Sequence, residues 1–578
     1  MQEQELTLLI YIASDNPLAP LVVSEIKAIK DAGFQKDTTV LVYFDPMEKG
    51  APTQLLDVNS KRKKAKEPQG ITTSIGDAED PFVRNMSEDE ITDPEDLTPA
   101  MQAALEKPGS LKAVESLKTF IEFALERRKA KNYMLFALGH GMIVANDAFL
   151  PDDNPVSSVT LQQLKELCEL FTENNQTSLR LLALHSCSMS SVEVAYQLKG
   201  KADYMLATQG TMFVNGWPYR QLLKKTLKHV DRAKQKARGD GVVDYDVLIR
   251  KLYFLCLFNF TDFMTAGYSC DLSLINLSPA KLDALKDPLQ RLVAALKEGL
   301  DTPANLVKDL VLLAHWEAQS FWSENYTDLW DFCDCLKRRC SDMSSKLKEI
   351  GGNEAATNKL TYIEDLCQLV KDVLAPEDRA RRRQGVVRHS DNCGSEFQYA
   401  RGLSIYFPWC EPLDDRRATF KSDQDDVQAD QREAMSKTVL ENYKNYDFTT
   451  DFEPSWHSLL LAYFKDTMRE ARRNPGTVFN GDGDTDNLKF NPEEAREAYK
   501  RAEKAFIAGI LKKTPDLKKT PDVGGDCTCP SIKNYPIMRF PEDSVAGDSA
   551  RVIRQFSMTR GALKAFFPIG DQEEREDE

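Results

Sequence analysis

Long apolar runs are missing from this 578-residue chain: none approaches the roughly 20 residues a membrane-spanning helix needs, so no membrane span is expected. Cationic charge is also in deficit. With 75 Lys and Arg against 90 Asp and Glu the formal net charge is −15, and such a chain is repelled by nucleic acid and anionic lipid, which excludes both as general partners. A secretory pattern is lacking too, because MQEQELTLLIYIAS starts acidic and goes straight into a strand. The 12 cysteines show no disulfide framework; several lie in apolar segments (Cys168, Cys256, Cys367), which fits reduced thiols in a cytoplasm. Nor do Cys333, Cys335 and Cys340 (DFCDCLKRRC) or Cys527 and Cys529 (DCTCP) have the paired four-ligand spacing of a zinc site. Histidine is scarcer still, with 6 in the chain, so one placed at a strand end stands out.

What is present is a chemistry-bearing pair. Residues 179–184 (LRLLAL) form an almost unbroken apolar run, the signature of a buried strand, and residues 189–198 have apolar positions at helical spacing. Ser190 and Glu193 are spaced as a capping box at the start of that helix. Cys187 therefore falls between strand and helix, where exposed N–H groups and the helix dipole favour a thiolate. Residues 133–138 (YMLFAL) run into Gly139, His140 and Gly141, so a histidine leaves a second strand in the same way. In a parallel sheet both groups emerge on one edge, where sites of open α/β folds lie. Taken singly, a strand-end cysteine reads as a small buried apolar residue and a histidine beside glycine as a turn residue; together they have the arrangement that a nucleophile and its base require, with the two bland readings as the alternative.

The rest of the first third alternates strand and helix. Residues 6–13 (LTLLIYIA) and 38–44 (TTVLVYF) read as strands flanking an amphipathic helix over 21–29, which implies a parallel sheet with crossover helices. Residues 47–110, with KRKKAK followed by acidic, Pro-containing sequence and little sustained apolar period, read as a long surface insertion, partly mobile. Helices over 111–128 and 160–171 and a strand over 204–208 complete an expected catalytic domain over 1–230. From 218 to 374 the pattern is mainly helical, the Arg-dense stretch 376–396 reads as an exposed loop, and residues 402–408 (GLSIYFP) form a strand. Residues 231–470 are expected to complete the unit, leaving 471–578 as an extension with an acidic tail.

These blocks, in this order, carry a resemblance. LTLLIYIASDNPLAPLVVSEIKAI, YMLFALGHG, HSCSMSSVEVAYQLKGKADYMLATQ, NGWPY, YTDLWDF and GLSIYFP resemble successive blocks of the clostripain family of cysteine peptidases, relatives of caspases, gingipains and separase. The resemblance implies an α/β fold, a caspase-like parallel-sheet sandwich with helices on both faces followed by a mainly helical C-terminal part. It also implies hydrolysis of peptide bonds in protein substrates, with His140 as catalytic histidine and Cys187 as nucleophile. The backbone N–H groups of Gly141 and Cys187 are the oxyanion-hole candidates, since a glycine after the histidine admits the carbonyl oxygen closely.

Around this pair the chain departs from the family. An acidic residue is usual two positions before the nucleophile, in enzymes that cleave after Arg or Lys, and here that position is His185. The following loop, Gln209, Gly210, Thr211, Met212, Phe213, Val214, Asn215, Gly216, Trp217, also lacks the family's acids. A buried cation needs a carboxylate partner, so either Asp203, Asp147 or Asp15 supplies one or the pocket takes an uncharged P1 side chain. Substrate contacts are expected from His185, Gln209, Gly210, Met212, Asn215 and Trp217, with a core histidine as the other reading of His185. No basic residue lies over 141–164, which excludes self-processing there by a basic specificity; the run 379–385 (RARRRQG) is a better nick site or simply a solvated loop.

Residues 482–493 (DGDTDNLKFNPE) place Asp482, Asp484, Asp486 and Glu493 at the ligand spacing of a calcium loop, though Asn487 and Lys489 depart from it; an acidic linker capping the next helix is the alternative. The peptidase reaction itself requires no cofactor. The expectation is a cytoplasmic endopeptidase acting on protein or peptide substrates, controlled by a signal or activating protein partner, with stress or antiviral defence as a setting. A catalytically silent caspase-like scaffold is the alternative.

Overall fold

The computed structural model describes residues 3–14, 25–26, 28–29, 32, 37–46, 54–57, 97–106, 111–141, 147–153, 155–172, 177–236, 241–265, 268–301, 306–321, 325–349, 354–375, 385–409 and 439–473. In chain order its strands are β1 (Gln4–Ser14), β2 (Thr38–Pro46), β3 (Gln54–Asp57), β4 (Ala130–Leu138), β5 (Phe149–Asp153), β6 (Val156–Val159) and β7 (Ser178–His185). They continue with β8 (Tyr204–Ala207), β9 (Cys270–Asn276), β10 (Ser320–Phe321), β11 (Tyr326–Asp328), β12 (Val387–Cys393) and β13 (Ser404–Tyr406).

Eight of these strands make the central sheet, in the order β12-β9-β8-β7-β4-β1-β2-β3. The five inner strands from β8 to β2 are parallel, as their apolar runs predict. The sheet is mixed rather than wholly parallel, because β3, β9 and β12 each join antiparallel at the two sides. The α/β architecture holds, with that correction.

Alternation along the strands divides the core. Leu9, Tyr11, Leu135 and Leu182 face a cluster that includes Leu117 and Phe120 of the helix Ala113–Arg127 and Leu164 of the helix Leu161–Glu169. Leu8, Ile10, Phe136 and Leu181 face the opposite cluster, with Leu222 of the helix Tyr219–Lys236 and Leu248 and Leu252 of the helix Tyr245–Thr265. All of these strand residues are buried, each contributing about 1.5–3 kcal/mol of apolar burial. That stabilisation is why the inner strands are rigid enough to fix the loops that leave their ends.

Two regular elements fall within the expected insertion 47–110. β3 closes the sheet at Asp57, whose Oδ2 accepts from Arg128 Nε at 2.6 Å with both side chains buried, and Pro99–Glu106 is a helix. The polar stretch VRHSDNC, expected as exposed loop, is β12, an edge strand whose side chains are mostly half-buried. A small sheet of β10, β11 and β13 lies beside the central one, bridged to it through Ser191 and Ser404. Among the described residues no helix is long and apolar enough to cross a membrane.

Candidate active site

β4 and β7 are parallel neighbours in a register that pairs Leu138 with His185. His140 and Cys187 each follow a paired residue by two positions, so both leave the same edge of the sheet. Their loops are tied there, with Gly139 N donating to His185 O at 3.4 Å and Leu150 N to His140 O at 3.2 Å. Gly141 is pressed against the peptide of Cys187. A Cβ at Gly141 would lie 2.8 Å from Cys187 N and 2.6 Å from Cys187 C, and would overlap the Cys187 carbonyl oxygen. Only a glycine permits this approach. On the other side the chain turns sharply, with Ser188 at φ 54°, its N–H donating to Gly210 O at 3.0 Å and Ser190 N–H to Thr208 O at 2.8 Å.

The thiol is not held as a thiolate by a helix. The helix begins at Val192, with Ser191 as its N-cap accepting from Val194 N, and spans only Val192–Gln197. Ser190 and Glu193 do not form the expected capping box: Ser190 Oγ donates to Gly402 O at 2.6 Å, and buried Glu193 accepts from Tyr406 N and Tyr443 OH, each at 2.8 Å. The passage of β13 takes both residues into tertiary bonds and delays the helix. Burial pushes the Cys187 pKa up to about 11; the Met212 N–H, donating to Sγ at 3.3 Å, opposes this, and the Asp271 charge adds to it. Burial pushes His140 down to about 4. At neutral pH the pair is therefore a thiol and a neutral imidazole.

The residues expected to contact substrate divide into a floor and a frame. His185 is 2 % exposed and stacks on Trp217, ring centroids 4.4 Å apart. Its Nε2 lies 2.8 Å from Phe213 O, and a carbonyl only accepts, so Nε2 carries the proton and Nδ1 accepts from Tyr219 OH at 3.0 Å. Burial lowers its pKa to about 4, which keeps it neutral. Both nitrogens are thus committed, the core-histidine reading of this position. Gln209, expected to face substrate, is fully buried: Nε2 donates to Asp328 Oδ2 at 2.9 Å and Oε1 accepts from Gly402 N at 2.8 Å. Gly210 packs under the Phe397 ring. Met212 remains beside the sulfur through its backbone, and Trp217 lies beneath His185 with no surface of its own. Asn215 falls in the short 3-10 turn Val214–Gly216, but its side chain lies outside the described ones.

Two carboxylates were not anticipated. Asp271 accepts from Gln209 N at 2.7 Å and Gly210 N at 2.8 Å, and Asp328 accepts from Gln209 Nε2, Arg401 N and Asp331 N. Burial raises them to about 7 and about 6. A single acid inside the apolar strand CDLSLIN was the available signal for the first. Together they frame the loop after β8 from behind.

A model of the clostripain family, peptidases C11, matches residues 10–446, most of the chain. The chain belongs to the clostripain family. It is accordingly a cysteine peptidase. Solved structures similar to it include an inactive zymogen C11 protease from Parabacteroides distasonis, 16% identical over 78% of this chain and 99% of that one, with a TM-score of 0.42. Another is a secreted C11 cysteine protease from Bacteroides thetaiotaomicron in complex with an irreversible peptide inhibitor, 16% identical over 75% of this chain and 99% of that one, TM-score 0.38. No curated protein matches the chain.

Among the described residues, the acids near Cys187 or expected to supply charge there are already engaged by other groups. Asp203 pairs with Arg180 at 2.8 Å beside the start of β8, at the far edge of the sheet, and Asp147 Oδ1 accepts from Leu161 N at 2.6 Å. Asp15, the candidate calcium ligands Asp482, Asp484, Asp486 and Glu493, Cys527 and Cys529 lie outside the described residues, as does the basic run except Gly385. Cys333, Cys335 and Cys340 are buried in the helix Leu329–Glu349, and no group of His, Cys, Asp or Glu among the described residues is placed to hold a metal.

Proposed function

We propose that this peptidase works through a Cys187–His140 dyad that starts neutral, and that its pocket selects an uncharged rather than a basic P1 residue. The close seat of Gly141 on the Cys187 peptide supports the dyad most directly, because it brings the histidine loop onto the nucleophile. As Sγ attacks the scissile carbonyl carbon, its proton passes to His140, and the carbonyl oxygen gains charge facing the N–H groups of Cys187 and Gly141. His140 then gives that proton to the leaving amine as the C–N bond breaks, leaving a thioester. Water, deprotonated by His140, attacks the thioester and releases the acid and the thiol. Proton transfer coupled to attack, rather than a preformed ion pair, follows from the displaced pKa values of the two groups.

The P1 reading rests on commitments already made. His185 is neutral with both nitrogens occupied, and both oxygens of Asp271 hold backbone N–H groups. A guanidinium desolvated here would lack the carboxylate that offsets its burial. In a fluorogenic panel with Arg, Lys, Leu or Asp at P1, kcat/KM for Leu should exceed that for Arg about tenfold, equivalent to about 1.4 kcal/mol. A strong Arg preference would overturn the P1 reading and leave the dyad untouched. Residence in a reducing cytoplasm and control by a protein partner belong to the same proposal; the nine described cysteines, all unbridged, support the compartment.

A further inference from the structure

We propose that Cys270 and Cys393 form a redox-active dithiol, which a small disulfide closes into a bond between edge strand β12 and its neighbour β9, at the end of the sheet where Cys187 lies. Cys270 opens β9 and Cys393 ends β12, and the two are direct cross-strand partners in the antiparallel register. Opposed residues of antiparallel strands stand about 4.5–5.5 Å apart at Cα, inside the 4.4–6.8 Å range of disulfides. Their side chains point to the same face of the sheet, Cys270 within the core cluster there and Cys393 packed against it. The turn beyond holds them there: Gly394, at φ 82°, leaves no room for a Cβ against Ser269, whose Oγ accepts from Glu396 N at 3.0 Å.

Access and reactivity single out this pair. Of the nine described cysteines only Cys187 and Cys393 are not fully buried. The neighbouring Cys270 thiol lowers the Cys393 pKa, against the burial that would raise it, whereas Cys270 is raised. Cys393 is thus the attacking thiolate and Cys270 the resolving thiol. Cys393 sulfur attacks one sulfur of the oxidant RS–SR, forming a mixed disulfide and expelling RS⁻. Cys270, giving its proton to that thiolate, then attacks Cys393 sulfur and expels the second RS⁻. The two protein thiols are oxidised, and one RS–SR is reduced to two RSH. The bond would sit beside Asp271, which holds the Gln209 and Gly210 N–H groups, and Gly210 O receives the N–H of Ser188 next to the nucleophile.

The test uses the full chain as Cys187→Ala, so that the catalytic thiol cannot compete, exposed to 2-hydroxyethyl disulfide, alkylated with iodoacetamide and mapped without reduction. With alkylation carried out after unfolding, the proposal expects a Cys270–Cys393 cross-linked peptide, the loss of alkylation at both of these cysteines, and recovery of both with dithiothreitol. Cys393→Ser should remove the cross-link while leaving Cys270 alkylatable only after unfolding. Alkylation of both cysteines after oxidant, or a lasting mixed disulfide on Cys393 with Cys270 still a thiol, would overturn it.

Discussion

Replacing Gly141 by alanine perturbs the pair without touching either reacting side chain. The added Cβ would stand 2.6 Å from Cys187 C and 2.8 Å from Cys187 N and would overlap the Cys187 carbonyl oxygen. Carbon contacts settle at about 3.5–4.0 Å, so the histidine and cysteine loops must part by about 1 Å or more. Both loops leave rigid inner strands, hence the strain stays local and costs about 1–3 kcal/mol of stability, as overpacking does. A displacement of that size between nucleophile and base lowers rate by about 100-fold. Gly141→Ala should therefore lose about two orders of magnitude in kcat/KM with an unchanged far-ultraviolet dichroism spectrum and a Tm lowered by a few degrees. Cys187 should still alkylate with iodoacetamide, showing that the thiol survives and its alignment does not. Wild-type kcat/KM in this variant would refute the claim that the Gly141–Cys187 seat aligns the site.

Two further outcomes follow from the electrostatics. With Cys187 pushed up to about 11 and His140 down to about 4, iodoacetamide alkylation of Cys187 should speed up about tenfold per pH unit between pH 6 and 8; a plateau across that range would mean a preformed thiolate–imidazolium pair instead. His185→Asp removes the proton donated to Phe213 O and faces a carboxylate toward that carbonyl, so stability should fall by about 1–3 kcal/mol, while the Arg-to-Leu ratio of kcat/KM rises. An unchanged ratio would separate this position from P1 selection.

The inner strands were legible because burial on both faces demands continuous apolar sequence, and LTLLIYIA, YMLFAL and LRLLAL supply it. The two loops bearing His140 and Cys187 followed from those strand ends. β12 was not legible: an edge strand with half-buried side chains needs no apolar run, and VRHSDNC reads as loop. Four-residue β3 is anchored by Arg128, 71 positions away. Long-range bonds also explain the other errors. Ser190 and Glu193 have the local spacing of a cap, yet their partners come from residues 402–443, more than 200 positions on. Gln209 reads as a polar loop residue near the site, whereas its bonds to Asp328 and Gly402 turn it inward.

The central claim is that Cys187, served by His140, is the nucleophile. It is tested most directly by treating wild type, Cys187→Ala and His140→Ala with a peptidyl acyloxymethyl ketone bearing Leu at P1, then locating the adduct by mass spectrometry. One adduct per chain is expected, on Cys187, absent in Cys187→Ala and formed far more slowly in His140→Ala, with peptide hydrolysis lost in step. Hydrolysis that persists in Cys187→Ala, or an adduct on another residue, would contradict it.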